Sequence, residues 1–109
     1  MEPPEFVKYA LCIPEWFTQG FWANGQSHQK KTDGWIARDR HGEWIIQKQL
    51  QSSTKYRHRE KAETVGLFVV TKKSYLIGRL TIVPVGRFGT RWQRIKEEDV
   101  RRESHRPVK

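Results

Sequence analysis

The segment Gly34 to Lys48 constrains the fold more than any other, because it reads as an antiparallel hairpin with a defined register. Apolar strands flank Arg40-His41-Gly42, and Gly42 can take the left-handed position of a three-residue loop, leaving Asp39 and Glu43 as the flanking pair. In that register Ala37 and Ile45 share a face with Trp35 and Gln47, while Ile36 and Ile46 share the other with Arg38 and Trp44. Arg38 then lies across from Trp44, where a cation over an indole stabilises the strand pair by roughly 0.5–1 kcal/mol.

Other segments extend the β pattern. Phe6 to Ile13 is expected as a strand stopped by Pro14, and Asn24-Gly25 is a tight-turn signal. Trp16, Phe17, Phe21 and Trp22 crowd the stretch between them and read as core. Val65 to Thr71 and Tyr75 to Val83, rich in β-branched and aromatic residues, are expected as core strands joined by a Lys72-Lys73-Ser74 turn. Pro84 and Gly86 permit a bend or an edge. Arg87 to Ile95 then alternates, which would put Arg87, Gly89, Arg91 and Gln93 on one face and Phe88, Thr90, Trp92 and Arg94 on the other. Gln51 to Thr64, almost without apolar residues, reads as an exposed basic loop, with a short helix over Arg57 to Thr64 as the competing form. Lys96 to Glu103 suits a short helix, with Glu97/Arg101 and Glu98/Arg102 one turn apart. Residues 104–109 are expected to be a disordered tail.

At 109 residues the chain has room for one core and not two. Residues 1–103 are therefore expected to form one mainly β domain, a small twisted antiparallel sheet or partly open barrel of five to six strands with a short C-terminal helix. The alternative is an α+β, winged-helix-like fold. Its helix-turn-helix would have to fall within Val65 to Leu80, which reads as strands.

The charge distribution carries the functional expectation. Of a net charge of +9, residues 1–50 contribute nothing, with six basic and six acidic residues, whereas residues 51–109 carry fifteen basic and six acidic. Such asymmetry points to an anionic partner, DNA or RNA, because like charges repel on a compact fold unless neutralised. Thirteen aromatics exceed what so small a core holds comfortably, so some are expected at the surface. The single cysteine, Cys12, allows no internal disulfide, and the acidic, proline-rich start Met1 to Glu5 is unlike a secretory signal; an intracellular location, cytoplasmic, nucleoid or nuclear, is expected. No apolar run approaches a membrane span, so no membrane partner is expected.

Catalytic signatures are mostly absent. Gly86 and Gly89 stand without the further residues of a phosphate-binding loop, and His28, His41, His58 and His105 lack metal-ligand spacing, so no cofactor or metal is expected. Binding therefore rests on cations interleaved with aromatics, which combine phosphate contact with stacking on unpaired bases. The candidate residues are Lys55, Tyr56, Arg57, Arg59 and Lys61 in the loop, Lys72, Lys73 and Arg79 around the turn, and Arg87, Arg91, Trp92 and Arg94 in the late strand. Phe88 and Trp92 are expected to be half-buried against the core rather than free for bases, with the arginines opposite them exposed in either case. The competing reading is a protein-interaction module, an inhibitor or assembly factor docking an acidic protein. Exposed sheet edges and abundant tryptophan also suit a homodimer. A third is a metal-independent ribonuclease using His58, although a mobile loop lacks the rigid positioning that catalysis needs.

Overall fold

A computed structural model describes residues 4–98 and 100. The described residues form a curled antiparallel half-barrel of six strands with one long α-helix packed on it. The elements run β1 (Phe6–Ala23), β2 (Gln26–Arg38), β3 (Trp44–Gln47), a 3₁₀ turn (Leu50–Ser52), β4 (Lys55–Tyr56), α1 (Arg59–Lys72), a second 3₁₀ turn (Ser74–Leu76), β5 (Thr81–Phe88) and β6 (Arg91–Arg94). The sheet order is β3-β2-β1-β5-β6, with β4 paired to β1 beside it.

The hairpin of β2 and β3 has the register read from its sequence. Trp35 pairs with Gln47, Ile36 with Ile46, Ala37 with Ile45 and Arg38 with Trp44. Gly42 is left-handed, at φ 80°, and the Arg38 guanidinium lies 4.2 Å from the Trp44 ring centre. The Asn24-Gly25 turn also forms, with both residues at positive φ, as the right-handed twist of the flanking strands requires.

Pro14 does not stop β1. The strand bulges between Ile13 and Phe17 and continues to Ala23. Glu15 takes the left-handed region at φ 54°, its backbone N–H donating to Asp33 Oδ1 at 3.0 Å. Asp33 Oδ2 in turn accepts from Arg94 at 2.7 Å, which ties the kink to β6 across the curl of the sheet. Pro84 and Gly86 likewise lie within β5, between β1 and β6, rather than at a bend or edge.

Three corrections concern the middle of the chain, the first being that Tyr75 to Leu80, expected to open a core strand, is a 3₁₀ turn and a loop, with β5 beginning only at Thr81. The expected basic loop 51–64 is ordered into a 3₁₀ turn, the short strand β4 and the start of α1. Val65 to Thr71, expected as a strand, is the body of that helix. Ala62, Val65, Gly66 and Val69 are its buried residues, spaced i, i+3, i+4, i+7, so one stripe meets the sheet. β-Branched residues cost a helix only tenths of a kcal/mol each, and burial of that stripe outweighs the preference. Lys72 and Lys73 consequently end a helix, with the Lys73 N–H donating to Val69 O, instead of forming a hairpin turn. Near the C-terminus Glu97 and Glu98 are helical; most of the helix expected over Lys96 to Glu103 and the tail 104–109 lie outside the described residues.

Each face of the sheet has its own core. Leu11, Ile13, Ile36 and Trp44 pack beneath α1 with Ala62, Val65, Val69 and Leu76. On the other face Ala10, Cys12, Trp35, Val83 and Val85 form a second cluster, against which Leu50 and Trp92 pack. The 3₁₀ turn is pinned to β6 there: Gln51 Nε2 donates to Trp92 O at 2.7 Å, and the Trp92 N–H donates to Gln51 Oε1 at 2.8 Å.

Candidate functional site

The second face ends in a cleft of about 560 Å³ lined by Phe6, Val7, Lys8, Arg57, Arg87 and Trp92. Strand register assembles it. Phe6 pairs with Arg87 and Arg87 with Trp92, so these three side chains form a row across β1, β5 and β6. Lys8, Val85 and Arg94 form the next row on the same face. Lys55 sits opposite Ala10 from β4, and Arg57, two residues further on, reaches the same side.

Two ammonium groups converge on the indole of Trp92: Lys55 Nζ lies 5.3 Å and Lys8 Nζ 5.9 Å from its centre. Lys55 also donates to Gln51 O at 3.1 Å and Ser53 O at 2.9 Å, which holds its stem in place. Burial, and secondarily the charge of Lys8, pushes the Lys55 ammonium below the usual lysine range. The Arg87 guanidinium stacks on Phe6 at 4.5 Å and pairs with Glu5 at 3.2 Å on the rim. Its Nε is buried and has no hydrogen-bond partner among the described residues. Among the described residues the lining thus supplies three cations and no carboxylate, with a fourth cation, Lys55, beside it. An anion placed there would relieve the repulsion between Lys8 and Lys55.

Of the residues expected to bind, Lys55, Arg57, Arg87 and Trp92 come together here, with Arg94 in the adjoining row but tied to Asp33. The others lie elsewhere. Lys61 and Lys72 border a cleft of about 380 Å³ between α1 and the β2–β3 hairpin, together with Arg38, Trp44, Thr64 and Phe68. Tyr56 lines a smaller recess beside it; its hydroxyl is buried without a partner among the described residues, and burial raises its pKa against the opposing effect of Arg38. Arg59 pairs with Glu63 at 3.5 Å and Glu97 at 3.1 Å. Arg79 stacks on Trp16 at 4.8 Å, and Lys73 follows the end of α1. Arg91 is exposed beside Phe88, its cross-strand partner. Because Gly89-Thr90 is a turn, Arg87 shares a face with Trp92 and Arg91 with Phe88, the reverse of the pairing expected for one continuous strand. Phe88 and Trp92 are half-buried, as expected.

Phe6, Val7 and Lys8 were missed. Alternation alone puts Phe6 and Lys8 on one face of a strand, but their meeting with Arg87 and Trp92 depends on register between segments about 80 residues apart.

Among the described residues no group of histidine, cysteine or carboxylate side chains is arranged to hold a metal ion, and no helix is long and apolar enough to cross a membrane. His58, the residue preceding α1, is exposed. No protein family, curated protein or solved structure matches this chain.

Proposed function

We propose that this protein binds nucleic acid, with backbone phosphates held by Lys8, Lys55, Arg57 and Arg87 and a base or sugar ring against Trp92 and Phe6. The observation that carries this reading is the convergence of two ammonium groups on one indole in an open cleft whose described lining lacks carboxylates. Phosphates answer the cations, and planar rings answer the indole and phenyl faces.

Salt dependence tests it. Each phosphate neutralised adds about 0.9 to the slope of log affinity against log salt on duplex DNA, and about 0.7 on single strands. The triple substitution Lys8→Gln, Lys55→Gln, Arg57→Gln should therefore flatten the slope by about 2–3 units. A matched triple on the helix side, Lys61→Gln, Lys72→Gln, Lys73→Gln, removes the same charge and should leave most of the slope in place. Equal flattening by both triples would show that the cleft has no special part in binding.

A second reading has its own observation. Leu67 and Ile77 are exposed, and with Val70, Leu80 and Ile82 they border an apolar groove of about 440 Å³ between α1 and the sheet. Such a face suits a protein-interaction module. Its mark is a specific complex that survives nuclease digestion.

A further inference from the structure

The four aromatics crowded between Trp16 and Trp22 do not share one environment. Trp16 and Phe17 are half-buried at the edge of the core, but Phe21 is 45% and Trp22 78% exposed. They stand on the distal part of the β1–β2 hairpin. From Thr18 to Lys31 every residue apart from Ala23 and His28 is exposed, so both faces of a two-stranded ribbon meet solvent. Seven consecutive pairs, Phe17/Thr32 to Ala23/Gln26, make it about 20 Å long at the usual rise per residue.

Its chemistry is selective. Trp16 to Thr32 contains no carboxylate. Gln19, Phe21, Gln26, His28 and Lys30 lie on one face, and Trp22, Gln29 and Lys31 on the other. Phe21 stacks on its partner His28 at 5.4 Å, and His28 Nε2 lies 3.2 Å from Ala23 O, which stiffens the ribbon near its turn.

We propose that this ribbon is an arm that enters the major groove of duplex DNA. A groove about 12 Å wide admits a two-stranded ribbon, and glutamine amides match the donor and acceptor edge of adenine there. Lys30 and Lys31 reach flanking phosphates, while Trp22 makes apolar contact with thymine methyl groups. The deep, narrow major groove of duplex RNA excludes such a ribbon, so the arm confers preference for DNA. The proposal rests on the nucleic-acid reading but uses a different site. Lys8 and Trp22, on the same strand, stand at most about 46 Å apart, so a duplex of about 14 base pairs or more can span both.

The test measures the affinity of the full chain for a 20-base-pair A·T-rich DNA duplex, the same duplex with uracil in place of thymine, and the corresponding RNA duplex. Wild type should prefer DNA, and Trp22→Ala should weaken DNA binding about tenfold, equalise thymine and uracil duplexes, and leave RNA binding unchanged. The Lys8/Lys55/Arg57 triple should weaken DNA and RNA alike. If Trp22→Ala leaves DNA binding intact while that triple reduces it, the arm proposal fails and the cleft stands. If wild type binds neither duplex nor their single strands, the nucleic-acid reading fails as well. Conversion of a dimer to a monomer by Trp22→Ala, with the DNA preference unchanged, assigns the arm to self-association and overturns the proposal.

Discussion

The two halves of β1 have the same extended backbone and opposite fates. Before the kink at Glu15, Ala10 to Ile13 are fully buried; beyond it, Thr18 to Trp22 are all exposed. The difference lies in their neighbours. The first half is flanked by β5 on one side and by β4 and β2 on the other, with α1 across one face and Trp92 with the Leu50 turn across the other. Among the described residues the distal half pairs with β2 alone. Asp33 marks the boundary, holding the Glu15 N–H with one oxygen and Arg94 with the other. Burial along a strand is thus set by what crosses it, not by the apolar content of the strand.

The largest test of this contrast is Leu11→Ala. Leu11 is fully buried between the sheet and α1, and its truncation should cost about 2–5 kcal/mol in denaturant unfolding. A cost below about 1 kcal/mol would mean that the proximal half is not the anchor of the fold.

Next comes a pH effect at Cys12, also fully buried in that half. Burial, then the Asp33 carboxylate, pushes its thiol up to about 11 from an ordinary 9.0. The folded state therefore keeps its proton where the unfolded state loses it. This contribution is complete below pH 9.0 and is lost as pH rises through about 11, amounting to about 2–3 kcal/mol. Unfolding measured across that window should show the loss in wild type and a flatter profile in Cys12→Ala. The raised pKa of Tyr56 acts in the same direction from about pH 10.0 upward, and it is present in both proteins. Equal slopes in the two proteins would remove Cys12 as the source.

The smallest effect belongs to the distal half. Trp22→Ala should change unfolding free energy by no more than about 0.5 kcal/mol, despite deleting a large aromatic side chain, because that side chain is exposed. A loss of several kcal/mol would show that the arm packs against something and is not free to enter a groove.

How much was legible before the structure follows from the range of each interaction. The β2–β3 hairpin, down to Arg38 over Trp44, was readable because its loop, alternation and cross-strand partners lie within fifteen consecutive residues. The helix was harder. The spacing of Ala62, Val65, Gly66 and Val69 was present, but the run Val65 to Val70 matches a strand equally well by composition. Of the cleft, the cations and Trp92 were visible as residue types; Phe6 and Lys8 were not distinguishable from any other strand residues.

By itself, the sequence determined the antiparallel β class, the two hairpin turns and a charge excess confined to the second half, because each depends on neighbouring residues or on simple counts. Tertiary structure alone decided that Val65 to Thr71 is helical, that Phe21 and Trp22 stand in solvent, and which cations meet at Trp92. Those outcomes depend on register and burial between segments distant in the chain, where the free energy of packing exceeds any local preference.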